Sequence, residues 1–188
     1  SPPLLTVLVL AFMASVGSGA FVVLLSSGLD ESGHTNWLTM LLALNALSII
    51  IGGFFYKRIS HSPGAFLHRL FRAEAFSLAL MGIGFLFLPV QSIWIIIILA
   101  SLAVAPLSST LYVLAEARSE DGSRGASFSI LASAQFSGGA LGAALFSYIA
   151  GPLGASTAFF IASGLIVVCV VAWISLPYGL RRYRIQDV

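Results

Sequence analysis

Charge is what this sequence has least of. Only 9% of its 188 residues are Asp, Glu, Lys or Arg, and 59% are apolar. Soluble domains carry about 25% charged residues. With a mean hydropathy of +1.02, the chain cannot cover a soluble core with polar surface, so it reads as a membrane protein whose immediate surroundings are the lipid bilayer. Its net charge of +2 is small, and its basic residues sit in short links, which argues against a nucleic-acid partner. There is one cysteine, Cys169 in "LIVVCVVAW", so neither an internal disulfide nor a CxxC metal pair can form. It reads as a small hydrophobe. The three histidines (His34, His61, His68) fall between the apolar runs. HExxH, a P-loop, a membrane Ser–His dyad and paired membrane carboxylates are all missing, so no catalytic residue, metal site or cofactor is expected. The opening "SPPLL" has no Met, no basic n-region and no cleavage site ahead of the first apolar run. It reads as a cut end rather than a signal peptide.

What is abundant is apolar sequence in lengths of about 20 residues, enough to cross a hydrocarbon core roughly 30 Å thick. Six spans are expected: Leu4–Ser26, Trp37–Tyr56, Leu70–Leu88 (ended by Pro89), Ile93–Ala115, Ala126–Tyr148 and Ala155–Leu176 (ended by Pro177). The links are short, so residues 1–188 form one six-helix domain. All nine Lys and Arg fall on one side: Lys57, Arg58, Arg69 and Arg72; Arg118 and Arg124; Arg181, Arg182 and Arg184. The opposite links, "GLDESGHTN", "PVQS" and "AGPLG", have none. The positive-inside rule then puts both termini in the cytoplasm. Glu74 and Glu116 are expected near the cytoplasmic ends, each close to an arginine (Arg72, Arg118), as interfacial ion pairs, with proton carriers as the alternative.

Spans one and four echo each other at an offset of 89 residues: "AFMASVGSG" (Ala11–Gly19) against "ASLAVAPLS" (Ala100–Ser108), with Gly17 falling on Pro106. A weakened helix at matching places in two three-helix units is what an inverted-repeat transporter shows, and freed backbone there must line a cavity or pack on protein. Gly138 and Gly142 form a small-xxx-small ridge on span five, with Ala134 one turn earlier and Gln135 on the same face. Packing alone explains the ridge; packing plus a gating or substrate contact by Gln135 is the alternative. Asn45 and Ser48 on span two, Ser108 and Tyr112 on span four, and Ser15 and Ser18 on span one are further candidate cavity-wall residues. For the serines, hydroxyls bonded back to their own helix are the simpler account.

Three stretches resemble the major facilitator superfamily, in its C-terminal six-helix half. "GGFFYKRISHSP" resembles a decayed form of the family's G-x-x-x-D-R-x-G-R-[KR] loop, with Gly53 and Arg58 matching and Lys57 standing where the family has Asp. Ala105–Leu145 is similar to the tenth and eleventh helices of bacterial drug-efflux members, and "GPLGASTAFFIASGLIVV" to the approach to the last helix. The family's Arg in the fourth helix and Gly-Pro motif in the fifth, marks of N-terminal halves, have no counterpart. The resemblance implies an all-α fold with a 3+3 inverted repeat, half of a major facilitator fold, in a bacterial inner (plasma) membrane. It implies a partner N-terminal six-helix half and alternating access around a cavity faced by spans one, two, four and five. It also implies a small neutral or amphipathic solute as substrate, with efflux as the direction, and a cytoplasmic gate loop at Gly53, Lys57 and Arg58. The competing expectation is a self-sufficient six-helix protein, either a homodimeric carrier or a structural membrane subunit.

Overall fold

A computed structural model describes residues 2–59, 63–89, 92–117, 119 and 123–175. They form seven α-helices: α1 (Pro2–Glu31), α2 (Leu38–Ile59), α3 (Pro63–Phe87), α4 (Ile93–Ser101), α5 (Val104–Ala117), α6 (Arg124–Leu153) and α7 (Ala155–Ser175), with a 3₁₀ turn at Thr35–Trp37 before α2. No strand occurs among the described residues. Backbone N–H and C=O groups in hydrocarbon must be satisfied within the segment, and an unbroken helix does that. Among the described residues five stretches are long and apolar enough to cross a membrane: Leu4–Glu31, Thr35–Phe54, Arg69–Phe87, Ile93–Ala117 and Arg124–Leu153. Ala155–Val168 is a shorter apolar helix in the place of the sixth expected span.

Several ends differ from the sequence reading. α1 runs on through "SGLDE" because the Glu31 carboxylate finds a partner: it accepts the Ala155 backbone N–H at 2.8 Å. It thereby caps the N-terminus of α7 and complements that helix's positive end. "AGPLG" is not a loop. Pro152 sits in the last turn of α6, and Gly154, at φ +77°, is the only residue between α6 and α7. α2 continues to Ile59, so Gly53, Lys57 and Arg58 lie on a helix rather than in a gate loop. The rest of that expected motif, Ser60 and His61, is outside the described residues, as is Arg118. His68 lies within α3.

The core is built around α1. Val7, Ala11, Ala14, Ala20, Leu24 and Leu25 are buried in it. On one side α1 meets α6 at backbone-to-backbone distance. A Cβ on Gly138 would overlap the Phe12 carbonyl, one on Gly142 the Val16 carbonyl, and one on Gly19 the Gly139 carbonyl. The pairs Phe12–Gly138 and Val16–Gly142 advance together, so the two helices run parallel. On the other side lies the α3–α7 pair. There the Ser163 hydroxyl donates to the Ala75 carbonyl at 2.7 Å, and Gly82 faces the Ser156 carbonyl. These pairs advance oppositely, so α3 and α7 are antiparallel. Phe159 stacks on Phe85 with centroids 5.9 Å apart and meets Phe21 edge-on, joining α7 to both α3 and α1.

The sequence pattern of a small-xxx-small ridge is thus a real seam, and its glycines are not equivalent. Gly138 and Gly142 are buried against carbonyls, whereas a Cβ on Gly139 would meet only the Ser15 carbonyl, at 3.8 Å. Gly139→Ala is therefore expected to leave the melting temperature in detergent unchanged or raised, since Ala is the better helix former by about 1 kcal/mol. Gly138→Ala and Gly142→Leu are expected to lower stability by about 1–3 kcal/mol, the cost of overpacking a filled contact. Equal effects of alanine at 138 and 139 would show that the seam lies elsewhere.

Candidate functional site

Span four is broken where the sequence places its proline, and the broken helix is stitched to α2. α4 ends at Ser101 and α5 begins at Val104, with Leu102 and Ala103 in a turn. Pro106 has no N–H, so the Leu102 carbonyl loses the donor four residues on that a helix would supply. Gly52 of α2 comes up against that carbonyl so closely that a Cβ would overlap the oxygen. The freed backbone therefore packs on protein, in a close Cα–H···O approach. The residue before Leu102, Ser101, lies within hydrogen-bond distance of both the Ile97 carbonyl and Asn45 Oδ1, two turns before Gly52 on α2. A hydroxyl has one proton. The consistent assignment turns the Asn45 amide so that its NH₂ donates to Ser101, while Ser101 donates to Ile97 at 2.6 Å.

The echo between spans one and four does not extend to the break. α1 is continuous through Gly17, and that glycine makes room instead of bending the chain. A Cβ there would lie 2.9 Å from Glu74 Oε1 and 2.9 Å from Ile166 Cδ1.

The other expected wall residues separate into distinct surroundings. Ser48 is buried and donates to the Leu44 carbonyl at 2.9 Å, bonding back to its own helix. The Ser15 backbone carbonyl faces Gly139 on α6, and the Ser18 side chain is a hydrogen-bond partner of Glu74 on α3. Ser108 is half-buried on α5, and Gln135 is half-buried beside the glycine seam. Tyr112, also on α5, packs its ring on Phe128 of α6 with centroids 5.7 Å apart. Pro106 is buried. Gly53 is half-buried, and a Cβ on it would touch Ala105 at 3.5 Å. The side chains of Lys57 and Arg58 fall outside the described residues. Among the described residues no three His, Cys, Asp or Glu side chains come together to hold a metal.

Two acidic residues behave differently from the interfacial pairs expected of them. Glu116 pairs with Arg124 at 3.2 Å across the α5–α6 link, with both side chains exposed, a contact worth about 0–1 kcal/mol. Glu74 forms no ion pair among the described residues. It is 6% exposed and lies against Gly17, while Arg72 is exposed. Residues two apart on a helix do not face each other, so the Arg72–Glu74 pairing was never available. The apolar span on α3 begins at Arg69, next to the expected Leu70, so the difference at Glu74 is its burial rather than its place along the span. α3 starts at Pro63, which puts Glu74 near its middle. The signal was the helical stripe Phe71, Glu74, Leu78, Met81, all buried.

The outward faces of the helices divide into two kinds. On α3 and α7 they are bulky and apolar: Phe76, Ile83, Phe87, Phe160, Val167 and Val168. On α6 a narrow strip opposite the glycine seam carries Ser129, Ser133, Ala140, Ala144, Ser147 and Gly151, all exposed, and it is flanked by exposed Ile130, Phe136, Leu141 and Tyr148. The Ser129 and Ser133 hydroxyls are satisfied by the carbonyls four residues back, at 3.0 and 2.9 Å. An open cavity of about 550 Å³ lies at the far end of α1, near Gly28, Glu31, His34 and Phe85, and holds none of the expected wall residues.

No family model matches the sequence, and neither a curated protein nor a solved structure matches it.

A double-mutant cycle checks the stitch between α2 and α4. Asn45→Ala and Ser101→Ala are each expected to destabilise the protein in detergent, with a coupling of about 0.6 kcal/mol between them, the usual size for an inter-helix side-chain bond in a membrane. Strictly additive effects would show that the two side chains do not interact.

Proposed function

We propose that this chain is one six-helix half of a secondary transporter, lodged in a bacterial inner membrane with both termini in the cytoplasm. It moves a small neutral or amphipathic solute by alternating access. The observation that carries the reading is the outward face of α6. A helix that meets lipid shows large apolar side chains, as α3 and α7 do. On α6 exposed Phe136, Leu141 and Tyr148 flank a strip of exposed Ser, Ala and Gly, and it is that strip which suits close approach by another helix or a water-filled path. Exposed α6 thus fits a surface that a second half-bundle covers and uncovers, with α3 and α7 on the lipid side. The broken α4–α5 helix supports the same reading, because interruptions of this kind recur next to transport paths. So does the resemblance of Ala105–Leu145 to drug-efflux members of the major facilitator superfamily, which also supplies efflux as the direction. Ser108 and Tyr112, half-buried on α5, are the residues we assign to the solute path, whereas Gln135, beside the glycine seam, is on the other side of α6 from the outward face.

The native gene product, run on a denaturing gel and probed through its "RRYRIQDV" tail, is expected at about twice 19.8 kDa, with two half-bundles in one chain. A band near 19.8 kDa would replace this with a symmetric dimer that uses the same α6 face. Ala140→Trp, on the exposed face, is expected to leave the melting temperature unchanged. It should cut transport of an amphipathic dye in reconstituted vesicles by roughly tenfold, equivalent to about 1.4 kcal/mol lost at the moving contact. Unchanged transport would place that face in lipid and remove the main support for the reading.

A further inference from the structure

The group that the transport reading does not use is Glu74. Its position is fixed by three helices. Oε1 lies against the glycine gap at Gly17 of α1, where Ile166 of α7 closes the other side. Ser18 of α1 is its side-chain hydrogen-bond partner. Oε2 is buried without a partner. Ser77, the nearest hydroxyl along α3, is occupied in donating to the Glu74 backbone carbonyl at 2.7 Å. Gly17 lies 14 residues before the end of α1, so Glu74 is roughly 21 Å below that end at 1.5 Å per residue. On its own helix Glu74 is five residues into the apolar span that begins at Arg69, about 7 Å from that end.

Among the described residues nothing around it supplies a compensating positive charge. α1 has no ionisable side chain between Leu4 and Leu29, and α4 has none. α7 has only Cys169. On α5 there are Tyr112, which packs on Phe128, and Glu116, already paired with Arg124. On α3 itself Arg69 and Arg72 are exposed, and His68 is a full turn and a half away. A charged carboxylate with one hydroxyl partner and no counter-ion is far more costly in such a place than a neutral acid. A metal ion is a poor substitute, because hard cations take about six oxygens and this site offers the carboxylate and one hydroxyl.

We infer that the Glu74 carboxyl is a proton-binding site within the span bundle, and that its neutral form is what lets α3 and α7 close on Gly17 and Ser18 of α1. The step is an acid–base equilibrium. A proton from water adds to a carboxylate oxygen, the charge is discharged, and water leaves the gap. Loss of the proton restores a charge that only water can solvate, so α1 and the α3–α7 pair separate there. The site lies between α1 and the lipid-side pair, away from the α6 face, so it holds whether or not the chain carries a solute.

The test uses the native gene product in nanodiscs. Infrared difference spectra between acid and alkaline buffer are expected to show a protonated-carboxyl C=O band that disappears on alkalinisation. The band should be missing from Glu74→Gln and displaced in frequency in Ser18→Ala, which keeps the acid but removes its hydrogen bond. The folded state holds a proton that the unfolded state gives up, so the wild-type melting temperature is expected to fall as pH rises. In Glu74→Gln, which is neutral at every pH, that slope should be lost. A wild-type spectrum with only carboxylate bands throughout the range would overturn the inference. So would a titrating band that Ser18→Ala leaves unmoved, and that second result is readable even if Glu74→Gln fails to accumulate. Transport activity enters neither readout, so failure here leaves the transporter reading standing, and failure of that reading leaves this one standing.

Discussion

Everything in this bundle depends on how closely helix backbones can approach in surroundings that give them no hydrophobic reason to associate. Lipid tails are as apolar as Leu, so burying another Leu between helices gains little; contact area and polar satisfaction decide instead. The chain solves this with glycine at the places where a neighbour's carbonyl must come in. Gly138, Gly142 and Gly19 set α1 against α6, Gly52 sets α2 against the free carbonyl of Leu102, and Gly17 leaves the gap that Glu74 enters. An uncharged, glycine-rich stretch that would make a poor helix in water is stable here because water is absent and the glycines are filled by protein.

That economy also divides the molecule. α1 is the common partner: its glycine-facing side carries α6, and its other side carries α3 and α7. The polar atoms fall into two groups on either side of this axis. One, around Asn45, Ser101 and the Leu102 carbonyl, ties a broken helix to its neighbour. The other, Glu74 with Ser18, leaves a carboxylate oxygen unpartnered. A polar group left incomplete in an otherwise satisfied interior is a place where something is bound or exchanged, and a proton is the ligand that fits the smallest gap.

The apolar runs in the sequence locate the helices, and the Gly138–Gly142 spacing identifies the seam, because both depend on local composition. The break near Pro106 was legible for the same reason. What was not legible depends on partners far away in the chain. The extension of α1 to Glu31 requires the Ala155 N–H, 124 residues on. The burial of Glu74 requires the gap left by Gly17 of α1, 57 residues earlier in the chain. The matching of Gly17 with Pro106 misled in another way. The two residues are equivalent in an alignment, but proline removes a hydrogen bond and glycine only removes a side chain, so one helix breaks and the other does not.

The account stands or falls on whether the outward face of α6 meets something other than lipid. The direct measurement is single-cysteine labelling in native membranes with a water-soluble maleimide, in a Cys169→Ser background. Cysteines at Ser133, Ala140 and Ala144 are compared with cysteines at Phe76 and Val167. Labelling along α6, or its protection only while a transported solute is present, with no labelling at Phe76 and Val167, is the predicted result. An α6 face as unreactive as those two lipid-side positions, with or without solute, would contradict it.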